Sequence, residues 1–306
     1  MSYTNQVTWL PNQGWDSRIH IAANGDLVNV FVVITQRYVV LVDTLLNATT
    51  AQALVDFAQP HLTGRQLLVI NTHADWDHAW GNQLFAGLNA SCPAPIIAHA
   101  ACAARFDLPG THLLLQQFQR EQPAIFGDVI LTKPTLTYTG KLTIDGGDLT
   151  LHLFHTPGHT ADHVAIYIPE ISTLFAGDAA ELPFPFAEDA TTLPDLRASL
   201  ASLDDISANT VLYCHAPPTI GPQLIRNNRA YFDALEAASR AALARGLDPA
   251  RIPDAELAVA VGCDYAAVTP TGGAWDDVSP ANRTEGHAQQ LRMMLTWVAQ
   301  NSTSPP

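Results

Sequence analysis

The stretch Asn71-Thr72-His73-Ala74-Asp75-Trp76-Asp77-His78 follows directly on the apolar run Leu67-Leu68-Val69-Ile70. Four groups able to ligate a metal stand within six residues there, at what the pattern predicts to be a strand end. Carboxylates and imidazoles crowded at one point lose hydration or repel one another unless a cation compensates them. Imidazole nitrogen and carboxylate oxygen are ligand types for zinc, iron or manganese. A polar loop with chance histidines is the plain alternative. Three further candidates in matching contexts argue against it.

His159 lies in Phe154-His155-Thr156-Pro157-Gly158-His159-Thr160, after the β-rich run 149–154. Asp178 ends Leu174-Phe175-Ala176-Gly177-Asp178, and His215 follows Val211-Leu212-Tyr213-Cys214. Each sits just past the C-terminal end of an expected strand, where α/β folds gather their chemistry. A lone His is more often a hydrogen-bonded core or surface residue. Several such sites in this order make a joint signal.

These residues resemble the metallo-β-lactamase superfamily. Its pattern is His-x-His-x-Asp-His, then a His in a Thr-Pro-Gly-His-Thr-like turn, an Asp after a Gly, and a late His. The resemblance covers roughly residues 15–220. Asp43, in Val39-Val40-Leu41-Val42-Asp43-Thr44, resembles the family's early structural Asp. The resemblance implies an αββα sandwich with a dinuclear metal site. It also implies a ligand set: His73, Asp75 and His159 for one metal, Asp77, His78 and His215 for the other, and Asp178 between them. Asp77 would in addition orient the nucleophile or carry a proton.

The chain departs from the pattern at two places. Asp75 stands where the second His is usual, and the late His reads Cys214-His215-Ala216-Pro217 where glycines often flank it. Di-iron relatives in the superfamily carry an acidic residue at the first position, and a carboxylate shifts preference toward oxygen-loving metals. Three carboxylates around two divalent ions are also expected to make a weaker Lewis acid than the His form.

The remaining composition narrows the class. The 306 residues are 47% hydrophobic, enough for a large core, and the net charge of −14 argues against a nucleic-acid partner. No apolar run is long enough to span a bilayer. Met1-Ser2-Tyr3-Thr4-Asn5-Gln6 lacks the features of a signal peptide. Cys92, Cys102, Cys214 and Cys263 have no Cys-x-x-Cys spacing and read as free thiols in a reducing, cytoplasmic setting.

Along the chain, 18–34 and 38–43 read as strands, and 49–59 as a helix capped by Thr49 or Thr50. The strand 67–70 leads into the motif, with a helix expected over 78–87. A strand at 95–98 and a helix at 99–105 follow. Residues 106–134 read either as a pocket-shaping insertion or as a surface excursion. Strands are expected near 135–138, 141–144, 148–154, 163–168, 172–176 and 210–213, and helices over 194–203, 222–246, 253–261 and 284–300. Trp76 and Trp80 read as packing residues, and 301–306 as a disordered tail. The domain reading is a metallo-β-lactamase-like domain over 1–220 and a helical C-terminal extension over 221–306, which caps the site or forms a homodimer contact.

The function expected from this is a metal-dependent hydrolase acting on a small ester, thioester, lactone or amide through a metal-activated water. Two divalent ions are expected, zinc first, with iron or manganese as alternatives. Two other readings remain: a di-iron oxidoreductase acting on oxygen or nitric oxide, and a non-catalytic binding member of the fold. The former usually needs a flavin domain, and no glycine-rich phosphate loop for one is visible in the sequence.

Overall fold

The computed structural model describes residues 3–301. The expected tail lies, apart from Asn301, outside the described residues. The chain forms two compact units. The first holds the chain up to His155 together with Asp162–Gly177; the second holds Thr156–Ala161 together with the chain from Asp178 onward.

The first unit contains a seven-stranded sheet whose spatial order follows the sequence: Thr8–Leu10, Ile19–Asn24, Val28–Ile34, Tyr38–Val42, Gln66–Ile70, Ile96–His99 and Leu136–Tyr138. The region expected as one strand over 18–34 is a hairpin, because Gly25 takes φ +56° and turns the chain. Val30, Phe31, Val32 and Val33 are all buried, as a strand covered on both faces requires. Strands Lys141–Asp145, Thr150–His155, Val164–Ile168 and Thr173–Gly177 form an antiparallel run in a second sheet of the same unit. Phe31 and Phe175 meet between the two sheets with ring centroids 4.8 Å apart. The mixed α/β architecture matches the expectation.

Tyr38–Val42 and Gln66–Ile70 pair in parallel, so the chain must cross over between them. Helix Ala48–Ala58 makes that crossover. Its cap is Asn47 and not a threonine. Asn47 is extended, its Oδ1 accepts from the Thr50 N–H at 2.9 Å, and its own N–H donates to Thr50 Oγ1 at 3.2 Å. This reciprocal capping box starts the helix at residue 48, with Thr50 as its third member. Asn47 Nδ2 also donates to the Ile125 carbonyl at 2.8 Å, tying the helix start to the 106–134 segment.

That segment is helical at Pro109–Glu121 and Pro123–Phe126. Phe118 and Phe126 enter an aromatic cluster with Trp76 and Trp80, the Trp76–Phe118 centroids lying 5.2 Å apart. The two tryptophans are packing residues, as expected. They brace the end of the metal motif, which is one short helix, Trp76–Ala79, running into a 3-10 turn, Trp80–Leu84. The longer α-helix expected over 78–87 does not form. Gly81 sits where a Cβ would lie 2.1 Å from the Thr44 carbonyl, and that close approach fixes the tighter turn.

The second unit is mainly helical outside its loops and the strand Thr210–Tyr213. Helices Leu193–Asp205, Gln223–Ala244, Asp254–Val261 and His287–Asn301 bury Leu196, Leu200, Phe232, Leu235, Leu257, Leu291 and Leu295. Among the described residues, no helix is long and apolar enough to cross a membrane.

Replacing Asn47 by Ala removes the cap and the tie to Ile125. The expected loss is about 1–2 kcal/mol, read as a lower denaturant midpoint. An unchanged midpoint would show that the capping box contributes nothing to stability.

Candidate metal centre

Parallel pairing sets the position of the first ligand group. Asp43 ends one strand and the His73 motif ends the next, and the Asp43 N–H donates to the Ile70 carbonyl at 2.7 Å. Asp43 is fully buried and holds φ +69°, a left-handed conformation that a non-glycine residue adopts at a cost. Its carboxylate accepts three hydrogen bonds. Oδ1 takes the Thr72 N–H at 2.7 Å; Oδ2 takes the Thr72 hydroxyl at 2.7 Å and His78 Nδ1 at 2.9 Å. These bonds compensate a charge that burial alone would make costly.

The same bonds fix the histidine tautomers. His78 Nδ1 faces a carboxylate and so carries the proton. The Thr72 hydroxyl has one hydrogen, which goes to Asp43. It therefore accepts from His73 Nδ1, 3.0 Å away. In both rings the lone pair is left on Nε2, the form that binds metal. The two rings lie together, with centroids 4.2 Å apart. His73 Nε2 is 3.5 Å from Asp75 Oδ2, and His78 Nε2 is 3.6 Å from Asp77 Oδ2.

Asn71 and Asn82 brace the loop below by exchanging amide hydrogen bonds at 3.0 and 2.8 Å. His163, fully buried, has its ring centroid 5.2 Å from that of His73. A Cβ on Gly177 would fall 2.4 Å from His163 Nε2, and Gly177 has φ +55°. The glycine before Asp178 is therefore required twice over, by backbone conformation and by space.

Arg105 is a site residue that the sequence does not announce. Its Nη1 lies 2.8 Å from Asp75 Oδ1 and 2.9 Å from Asp162 Oδ1. Asp162 Oδ2 accepts the Ala74 N–H at 2.8 Å. The expected charge sum around Asp75 leaves this guanidinium out. No motif marks Arg105; it ends helix Ala100–Arg105, which follows the parallel neighbour of the motif's strand.

The second ligand group belongs to the second unit. The turn carrying His159 is clamped by helix Leu193–Asp205. Ser199 Oγ donates to the Pro157 carbonyl at 2.7 Å, and Thr192 Oγ1 donates to the Gly158 carbonyl at 3.2 Å. Gly158 has φ +129° and lies where a Cβ would meet Leu196 N at 2.1 Å. His159 Nδ1 is 2.9 Å from the Phe186 carbonyl, which can only accept, so this ring too keeps its lone pair on Nε2. Asp178 Oδ2 lies 3.6 Å from His159 Nε2 and 3.1 Å from His215 Nε2. Glu181 Oε1 lies 3.6 Å from His159 Nδ1. His159, Asp178 and Glu181 can offer ligand atoms within 4.8 Å of one another. Asn228, on the long helix Gln223–Ala244, holds this loop by accepting the Glu181 N–H at 3.1 Å and donating to the Glu181 and Pro183 carbonyls.

Two ligands at about 2.0–2.1 Å from a tetrahedral zinc lie roughly 3.4 Å from each other. The separations in each unit, 3.5 and 3.6 Å in the first and 3.6 and 3.1 Å in the second, sit around that value. The donor set therefore fits a metal. Burial pushes the Cys102 thiol well up and the Cys263 thiol up to about 11, and no disulfide joins any two of the four cysteines.

Residues 23–215 match the profile of the Metallo-beta-lactamase superfamily. A hydroxyacylglutathione hydrolase from Rhodospirillum rubrum is 28% identical over 235 residues, covering 70% of this chain and 79% of that protein. A metallo-beta-lactamase family protein from Thermus thermophilus superposes with a TM-score of 0.60 at 19% identity, over 97% of this chain and 94% of the other. A metallo-beta-lactamase from Pontibacter korlensis gives 0.54 at 19% identity, over 73% and 97%. At these identities the two structures speak for the fold alone. The length of the profile match, together with the motif residues it contains, shows that the chain belongs to the metallo-beta-lactamase superfamily.

Proposed function

We propose that the chain is a metal-dependent hydrolase of a small ester, thioester, lactone or amide. The observation that carries this reading is the shared tautomer of His73, His78 and His159. Each Nδ1 is committed to an oxygen, so each Nε2 lone pair is presented beside a carboxylate. A purely structural histidine has no need of that pattern. Among the four substrate classes the thioester is favoured, since the relative from Rhodospirillum rubrum is named for hydrolysing a hydroxyacylglutathione.

In this proposal His73, Asp75, Asp77 and His78 would offer metal ligands from the first unit, and His159, Asp178 and His215 would offer them from the second. Zinc is the ion proposed, because four imidazoles suit it. When bound, the metal would supply Lewis acidity for activating water and for stabilising negative charge on a substrate oxygen. Asp77, on the short helix Trp76–Ala79, orients the attacking water and takes up its proton. Asp43 keeps His78 in its binding tautomer directly and His73 through Thr72. Asn228 and helix Leu193–Asp205 keep the Asp178 and His159 loops in place.

Two outcomes test this. Chelation should abolish hydrolysis of an S-acyl glutathione, and zinc should restore it. Activity that persists in the fully demetallated protein would contradict the proposal, as would protein whose only competent form shows ferric absorption. Replacing Asp43 by Asn should lower zinc affinity or kcat/KM by roughly 10–100-fold, the usual cost of losing an outer hydrogen-bond partner. Replacing His159 by Ala should cost more than that. If Asp43→Asn proves the more damaging of the two in a folded protein, His159 is not a ligand.

A further inference from the structure

Asp75 is one of the two points at which this chain leaves its family's pattern, and the structure supplies it with a partner. Arg105 Nη1 sits between two carboxylates, 2.8 Å from Asp75 Oδ1 and 2.9 Å from Asp162 Oδ1. Asp162 is fully buried and is itself held by the Ala74 N–H at 2.8 Å. Ala74 is the residue between His73 and Asp75. The loop backbone, Asp162, Arg105 and the Asp75 side chain thus form one connected path. It ends with Asp75 Oδ1 occupied and Oδ2 3.5 Å from His73 Nε2.

We propose that Arg105 is a positioning residue for Asp75: it holds one carboxylate oxygen, so that Asp75 presents the other as a single, oriented ligand in place of an imidazole nitrogen. The inference rests on the metal-site reading above. A free aspartate differs from a histidine in two ways. It can rotate to bind through either oxygen or both, and it adds a negative charge. Arg105 removes the first difference by holding Oδ1 and offsets the second with its own charge. The Asp–Arg pair then replaces one neutral, rigid imidazole. Asp162 explains why Arg105 stays in place, since its carboxylate binds the same nitrogen and is anchored to the motif backbone.

Charge alone predicts the opposite effect of losing Arg105. Deleting a cation near a metal site should tighten cation binding. Loss of orientation should weaken it, by about tenfold or more if Arg105 behaves like other outer partners of metal ligands. The sign of the change therefore separates the two accounts.

The experiment compares zinc affinity, by competition with a chromophoric chelator, and thermal midpoint in four proteins: the parent, Arg105→Gln, Asp75→His, and the double variant. Arg105→Gln is expected to weaken zinc binding about tenfold or more in the parent. In the Asp75→His background the same change should not weaken zinc binding, because the imidazole needs no such partner and only the effect of the lost charge remains. The thermal midpoint should fall in both backgrounds, since Asp162 loses Arg105 in each. Unchanged or tighter zinc binding in Arg105→Gln overturns the proposal, as does an equal loss of affinity in both backgrounds. If the glutamine variants do not fold, Arg105→Lys, which keeps a cation beside Asp162, is read by the same comparison; an affinity change independent of residue 75 overturns the proposal. A parent protein that binds no zinc would instead overturn the metal-site reading itself.

Discussion

The buried carboxylate of Asp43 is the contact on which the first ligand group depends. It sits at the end of one parallel strand, beside the end of the next, and it accepts the Thr72 N–H, the Thr72 hydroxyl and His78 Nδ1. Those three bonds stabilise the charge, hold the strained φ of +69° and set the tautomer of two histidines at once. Asn, neutral and of the same size, keeps one acceptor oxygen but turns an NH2 toward either the Thr72 N–H or the Thr72 hydroxyl and His78 donors in a buried place. The fold places Asp43 here because Tyr38–Val42 and Gln66–Ile70 run parallel, which brings their C-terminal ends side by side.

The second unit reaches an equivalent result by different means. A backbone carbonyl, that of Phe186, accepts from His159 Nδ1 and orients the ring. The turn before it is gripped by a helix N-terminal region through Thr192, Leu196 and Ser199, and the Asp178 loop is gripped by Asn228. Helices that look like a separate extension in the sequence thus include one, Gln223–Ala244, whose buried Asn228 acts directly on the loop that carries a ligand candidate.

Much of this is legible in the sequence, because His and Asp crowded at strand ends are costly to fold unless a cation compensates them. Apolar runs rich in Val and Ile mark the strands, and the ligand candidates follow from their position after those strands. The helix cap is misplaced from sequence because Thr49, Thr50 and Asn47 are all good N-cap residues, and only the extended backbone at Asn47 decides among them. The short turn at Trp80–Leu84 escapes a sequence reading because its cause, the approach of Gly81 to Thr44, joins residues far apart in the chain. Arg105 escapes it for the same reason. Nothing local distinguishes an arginine at a helix end, and its meaning comes only from Asp75 and Asp162. The omission matters, since the charge expected around Asp75 changes once a guanidinium shares it.

The most direct test of this metal centre is a zinc-loaded crystal structure with anomalous scattering measured at the zinc edge. Zinc is expected at about 2.0–2.1 Å from Nε2 of His73, His78 and His159, with each Nδ1 still on its oxygen partner. Zinc bound through Nδ1 of any of these rings, or absent from all three, would contradict it.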